Sequence, residues 1–133
     1  MPQTRPLAVL AAAAAVLAAQ AAAAQPAGPT VIPVQLFEYH FSPDEIDLVH
    51  GQAYVLRVTN TGSKAHDLSA KAFFRTVSVA PDDAAEVRDG AVELAPGESA
   101  DVAFVAGAPG RYEMHCTHPL HSMLGMNGKI VVR

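Results

Sequence analysis

YEMHCTHPLHSMLGMNGKIVV, residues 112–132, holds the sole cysteine of the chain, three of its six histidines and three of its four methionines. Strand-like pieces bracket it at residues 111–115 and 129–132. Between them Cys116, His121 and Met126 fall at C-x4-H-x4-M spacing, so one short loop carries a thiolate, an imidazole and a thioether. Soft sulfur with imidazole suits copper, and one strong thiolate beside a weak, long axial thioether is what a blue-copper electron-transfer centre requires. Such a centre needs a second histidine from elsewhere in the chain.

Period two sorts this stretch. If Tyr112 and Met114 face a core, so does Cys116, while Arg111, Glu113 and His115 face out. His115 therefore reads as a surface residue. His118 competes with His121, but Cys116-x-His118 is too tight for a strand end and loop to wrap one ion easily. His121 leaves a four-residue arc on each side. Met126 is favoured over Met123 because Gly125 before it and Asn127-Gly128 after it permit the tight backbone that leads into a last strand. Met123 reads as apolar cover. A methionine in a small apolar protein is usually core filler, and only its spacing from Cys116 and His121 lifts Met126 above that role. For the second histidine, His66 sits just past the turn signal Asn60-Thr61-Gly62-Ser63, where a strand end can approach the cysteine loop. His40 and His50 read as surface residues.

Outward from this loop the chain alternates. Residues 31–41 (VIPVQLFEYHF) read as one strand, with Phe37, Tyr39 and Phe41 on one face and Glu38 and His40 on the other. Pro33 within it suggests an edge or a bend. Residues 46–49, 52–60, 92–94 and 99–105 follow as short strands, with Tyr54, Leu56 and Val58, then Ala100, Val102 and Phe104, on core faces. Residues 71–76 are predicted to make one helical turn that presses Phe73 and Phe74 inward. Residues 80–90, acidic and rich in breakers, read as irregular. About seven short strands with turns at roughly ten-residue spacing predict an all-β, antiparallel sandwich.

The first residues read as an address. Arg5, an apolar run over residues 7–19 and Ala22-Ala23-Ala24 ahead of Gln25-Pro26 make residues 1–24 a secretory signal peptide. The run is short and mostly alanine, which favours cleavage over retention as an anchor. Residues 25–30 are then a lead-in and 31–133 one domain, expected to be periplasmic or secreted and without stable membrane insertion. A lone thiol in an oxidising compartment is a liability unless it is buried or coordinated, which favours Cys116 as a ligand. The net charge of −4 at pH 7 argues against nucleic acid as a partner. A monomer is expected.

Residues 112–132, together with His66 after a strand ending in Asn60-Thr61-Gly62, resemble the cupredoxin family of small blue copper proteins. The C-x4-H-x4-G-M-x-G-K-I-V-V form is most similar to rusticyanin-type periplasmic cupredoxins. The resemblance spans nearly all of residues 31–133 and implies a Greek-key β-sandwich or barrel holding one type 1 copper at one end. It implies His66, Cys116 and His121 as equatorial ligands and Met126 as the axial one. In many members an Asn follows the first histidine; here it is Asp67. Its backbone N–H could still serve the sulfur, while a carboxylate near the thiolate would favour Cu(II) and lower the potential. His118 and Met123 add soft donors at the mouth, as possible auxiliary ligands for copper loading.

The function so implied is one-electron transfer, with no bond broken and no enzymatic activity. Pro119, Leu120, Met123, Leu124 and Gly125 would form the apolar patch that docks a transient redox partner, such as a c-type cytochrome or a copper oxidase or reductase. The alternative is a copper-binding carrier or chaperone that hands the metal to a partner.

Overall fold

A computed structural model describes residues 28–133. The expected signal peptide and cleavage site and the beginning of the expected lead-in lie outside the described residues. Ten strands occur among those that are described. In chain order they are β1 (Thr30–Phe37), β2 (His40–Ser42), β3 (Glu45–Leu48), β4 (Ala53–Asn60) and β5 (His66–Ser69). Then come β6 (Ser78–Val79), β7 (Ala91–Leu94), β8 (Ser99–Val105), β9 (Gly110–His115) and β10 (Asn127–Val132). They form two five-stranded sheets, ordered β2-β1-β4-β8-β6 and β3-β10-β9-β5-β7. The chain crosses from one sheet to the other at almost every connection, so strands that pair are mostly remote in sequence.

Alternation decides what is buried. In β4, Tyr54, Leu56 and Val58 point inward, paired in register with Phe104, Val102 and Ala100 of β8. The other sheet answers with Ile46, Leu48, Leu68, Val92, Leu94, Met114, Ile130 and Val132, all buried in the same core. Each such aliphatic or aromatic side chain stabilises the fold by about 1.5–3 kcal/mol relative to leaving it in water. Helix α1 (Lys71–Phe74) is the expected helical turn: Phe73 is wholly buried, edge-on to Phe104 and Tyr112, and Phe74 is half-buried.

The sandwich has ten strands where the sequence predicts about seven, and it differs from that outline in three further ways. Residues 31–41 are not one strand, because Glu38 and Tyr39 form a two-residue turn between β1 and β2. Counting by twos through that turn misassigns the faces: Val34, Leu36 and Phe41 are buried, whereas Phe37 and Tyr39 are only partly so. The pairing is mixed, since β1 runs parallel to β4 and β3 parallel to β10. Period two tells which face a side chain takes, not the direction of the neighbouring strand. Finally, residues 81–86 form a 3-10 helix (Pro81–Glu86) inside the stretch expected to be irregular. Pro81 presets φ at its start, and Asp82 and Asp83 sit where the exposed N–H dipoles favour negative charge. Asp83 also accepts the N–H of Ala103 at 2.9 Å, which ties this helix to β8.

Candidate metal centre

Three chain segments meet at one end of the second sheet. His66 opens β5, Cys116 directly follows β9, and Met126 directly precedes β10. Strands β10, β9 and β5 are neighbours, so residues 50 or more apart in sequence arrive side by side. The Cys116 N–H donates to the Met126 carbonyl at 3.1 Å, which extends the β9–β10 ladder by one step. Within the loop, His121 N–H donates to the His118 carbonyl and Met126 N–H to the His121 carbonyl, both at 3.1 Å. Leu120 takes a positive φ of 67° and Gly125 one of 113° to make these turns. The glycine does so freely; the leucine carries local strain.

His66 is set in place from both sides. Asn60, at the end of β4, is fully buried; its amide donates to the Lys64 and Leu94 carbonyls at 2.8 and 3.0 Å and accepts from Gly62 N–H at 2.9 Å. From the other side Glu38 Oε1 accepts the N–H groups of Ser63 and Lys64 at 2.7 and 2.8 Å. The segment between Asn60 and His66 is thus clamped, and the His66 ring is wholly enclosed.

The donors converge. His66 Nδ1 lies 3.1 Å from His121 Nδ1, and Cys116 Sγ lies 3.4 Å from the same His121 nitrogen. One ligand atom from each of the three falls within 4.8 Å of the others. Two imidazoles and one thiol facing each other in a buried pocket fit a soft or borderline cation such as copper. Met126 is fully buried in the same cluster as Cys116. Tyr39 roofs the pocket, with its ring edge-on to His121 at 4.9 Å and to His66 at 6.5 Å.

Electrostatics at the site follow first from burial. Burial pushes the Cys116 thiol above its ordinary value, although backbone N–H groups of Asp67 and His118 directed at the sulfur pull the other way. Burial, together with the charges of His66, His118 and Lys64, lowers the His121 pKa. The thiol must therefore give up a proton to a metal, while His121 is already disposed to offer a lone pair. Asp67 is buried, and its carboxylate, near the sulfur as the sequence predicts, pushes the thiol up further. It accepts the Thr117 N–H at 2.7 Å and the Thr117 hydroxyl, and so locks the start of the cysteine loop to β5. Its own backbone N–H also serves the sulfur and acts in the opposite sense, lowering the thiol pKa.

The remaining candidates fall outside this pocket. His118 Nε2 contacts Glu93 at 2.7 Å and belongs to a second group with Asp67 and Glu93, although its ring lies 5.4 Å from that of His121. His40, His50 and His115 are exposed. Pro119, Leu120, Met123, Leu124 and Gly125 are all exposed around the partly buried His121, Met123 most of all at 81%. Two residues at the site escaped the sequence reading. Glu38 and Tyr39 look like surface and core residues of a strand, and their partners lie 25 or more positions away. The one local hint is Gly62: a Cβ there would lie 2.7 Å from the Glu38 carboxylate.

Comparison with known proteins bears on the family and the fold. The cupredoxin-like domain family matches the chain over residues 7–132. No curated protein matches it in sequence. Among solved structures it is similar to the dithionite-reduced auracyanin of the photosynthetic bacterium Roseiflexus castenholzii, with 26% identity and a TM-score of 0.57. That match covers 80% of this chain and 99% of the other. Auracyanin A, a blue copper protein of the green thermophilic photosynthetic bacterium Chloroflexus aurantiacus, is 27% identical with a TM-score of 0.56, over 80% of this chain and all of that one. The multicopper oxidase McoA of Aquifex aeolicus shares the fold, with a TM-score of 0.63 at 17% identity over 80% of this chain and 30% of its own.

Proposed function

Because the chain belongs to the cupredoxin-like domain family, we propose that it is an exported type 1 copper protein that carries single electrons and makes or breaks no substrate bond. The observation that carries this reading is the buried convergence of His66 Nδ1, His121 Nδ1 and Cys116 Sγ. These three would hold the ion, and the buried Met126 thioether would add a weak fourth donor. Copper supplies a Cu(II)/Cu(I) couple in such a set. The protein's part is rigidity: β5 and β9 fix two donors, and the hydrogen-bonded turns between Cys116 and Met126 fix the others. Ligands that cannot relax keep reorganisation between oxidation states small. The exposed apolar residues around His121 suit a brief encounter with a redox protein in the periplasm, such as a c-type cytochrome or a copper oxidase or reductase.

The test is the absorption and EPR spectrum of the copper-loaded protein. An intense visible thiolate-to-Cu(II) band is expected, lost in Cys116→Ser and retained in His118→Ala. A colourless Cu(II)-loaded protein defeats the reading. The copper-chaperone alternative draws on Met123, whose thioether stands open at the mouth. It is weakened by His118, whose free ring nitrogen is taken up by Glu93. A chaperone would surrender its copper to a competing chelator, whereas a carrier keeps it through repeated redox cycles.

A further inference from the structure

We propose that Glu38 is a positioning residue for the copper centre: its carboxylate holds His66 as the Nε2–H tautomer, with Nδ1 turned to the metal, and sets a fixed negative charge beside the ion that favours Cu(II) over Cu(I). The proposal rests on the copper reading above and adds to it a residue from the opposite sheet.

The first argument is the accounting of the His66 ring. The ring is fully buried, so both nitrogens need partners. Nδ1 faces His121 at 3.1 Å, within the group that includes Cys116. Nε2 faces Glu38 Oε1 at 3.3 Å. An ionised carboxylate can only accept, so the proton belongs on Nε2 and the lone pair on Nδ1. A ligating histidine whose second nitrogen donates to a carboxylate is fixed in tautomer and orientation, and is made more basic toward its metal.

The second argument is that the carboxylate is itself held. Besides His66, Glu38 Oε1 meets the N–H of Ser63 at 2.7 Å, the N–H of Lys64 at 2.8 Å and the Ser63 hydroxyl at 3.3 Å. Gly62 leaves the room: a Cβ there would come within 2.7 Å of Oε1 and 2.9 Å of Oε2. A glutamate in a two-residue hairpin turn would otherwise extend into water. Here the turn is folded over the site, and Tyr39 next to it packs on His66 and His121.

The third argument concerns charge. In the proposed couple a redox partner would add one electron to the bound ion, with no bond formed or broken. A negative charge one imidazole away opposes that electron. For a partly screened pair at this range the effect on the Cu(II)/Cu(I) equilibrium is about tenfold, equivalent to about 59 mV for one electron.

The experiment compares wild type with Glu38→Gln and Glu38→Ala. The amide of Glu38→Gln retains an oxygen that accepts from Ser63, Lys64 and His66 but has no charge. Its visible band and EPR spectrum should stay, and its potential should rise by about 59 mV, the tenfold change. In copper-free protein at mildly alkaline pH, the ¹⁵N shifts of His66 should report Nε2–H in wild type and in Glu38→Gln. They should report mixed tautomers in Glu38→Ala. A coloured wild type whose potential is unmoved in Glu38→Gln, or a His66 tautomer unchanged in Glu38→Ala, overturns the proposal and leaves the copper reading intact. A lowered melting temperature with no change in potential or tautomer would mark Glu38 as a loop tie alone, and overturns it too. A wild type that takes up no copper overturns both.

Discussion

His66 shows how much a site depends on groups that never touch the ligand. Its ring is aimed by Asn60 and Glu38, which act on the segment before it. Asp67, next to it, spends its carboxylate on Thr117 and its N–H on the sulfur of Cys116. Glu38 also ties folding to pH. Partial burial would raise its pKa, but the N–H groups of Lys64, Glu38 and Ser63 and the His66 ring outweigh this and lower it from 4.5 to about 2. A carboxylate with a depressed folded-state pKa contributes stability above its unfolded value, lost as pH falls through the folded value. Denaturant titration of the copper-free protein should therefore show stability falling from about pH 4.5 toward pH 2. Glu38→Gln should be the less stable of the two at pH 7, with a flatter profile that meets wild type near pH 2. Parallel profiles would contradict the depressed value.

Among the elements, β5 and β10 carry the most constraint. All four residues of β5 are buried, because its outer face is covered as well as its core face. One of them is uncompensated: Ser69 Oγ is buried with no hydrogen-bond partner among the described residues. A buried hydroxyl left unpaired costs about 1–3 kcal/mol. Ser69→Ala should accordingly be neutral or stabilise the fold by about 1 kcal/mol, read by chemical denaturation. Strand β10 has the opposite sensitivity. Gly128 lies against the Asp44 carbonyl and the Met114 side chain, and Lys129 N–H donates to that same carbonyl at 2.9 Å. A methyl group on residue 128 would overlap both. Gly128→Ala should destabilise by about 2 kcal/mol and, since Met114 lies two residues before Cys116, also broaden the copper EPR signal. An unchanged midpoint would show that the β3–β10 edge gives way freely.

Over the whole molecule, the sandwich separates a packed core from an exposed apolar loop. The core shared by both sheets holds the buried donors still, while the loop that presents His121 carries its apolar side chains outward: Leu120 at 64%, Met123 at 81% and Leu124 at 56% exposure. Putting a charge into that patch should disturb encounter and leave the site alone. Met123→Asp should lower the second-order rate of electron exchange with a redox partner about tenfold, with absorption and potential unchanged, as followed by stopped-flow spectroscopy. An unaltered rate would move the docking surface elsewhere.

Sequence alone determined whatever depends on spacing within one loop or on alternation along one strand. The Cys116, His121 and Met126 pattern, the inward set of β4 and β8, and the helical turn at Phe73 are of this kind, because local geometry dictates them. Even His66 was legible, since a strand end after a turn has few places to go beside a cysteine loop. Only the tertiary structure decided what meets across the chain: the parallel pairing of β1 with β4 and of β3 with β10, the turn at Glu38 and Tyr39, and the carboxylate behind His66. Such partners leave no periodic trace, because two strands brought together by burial of a common core need share nothing in their own sequences but the face they hide.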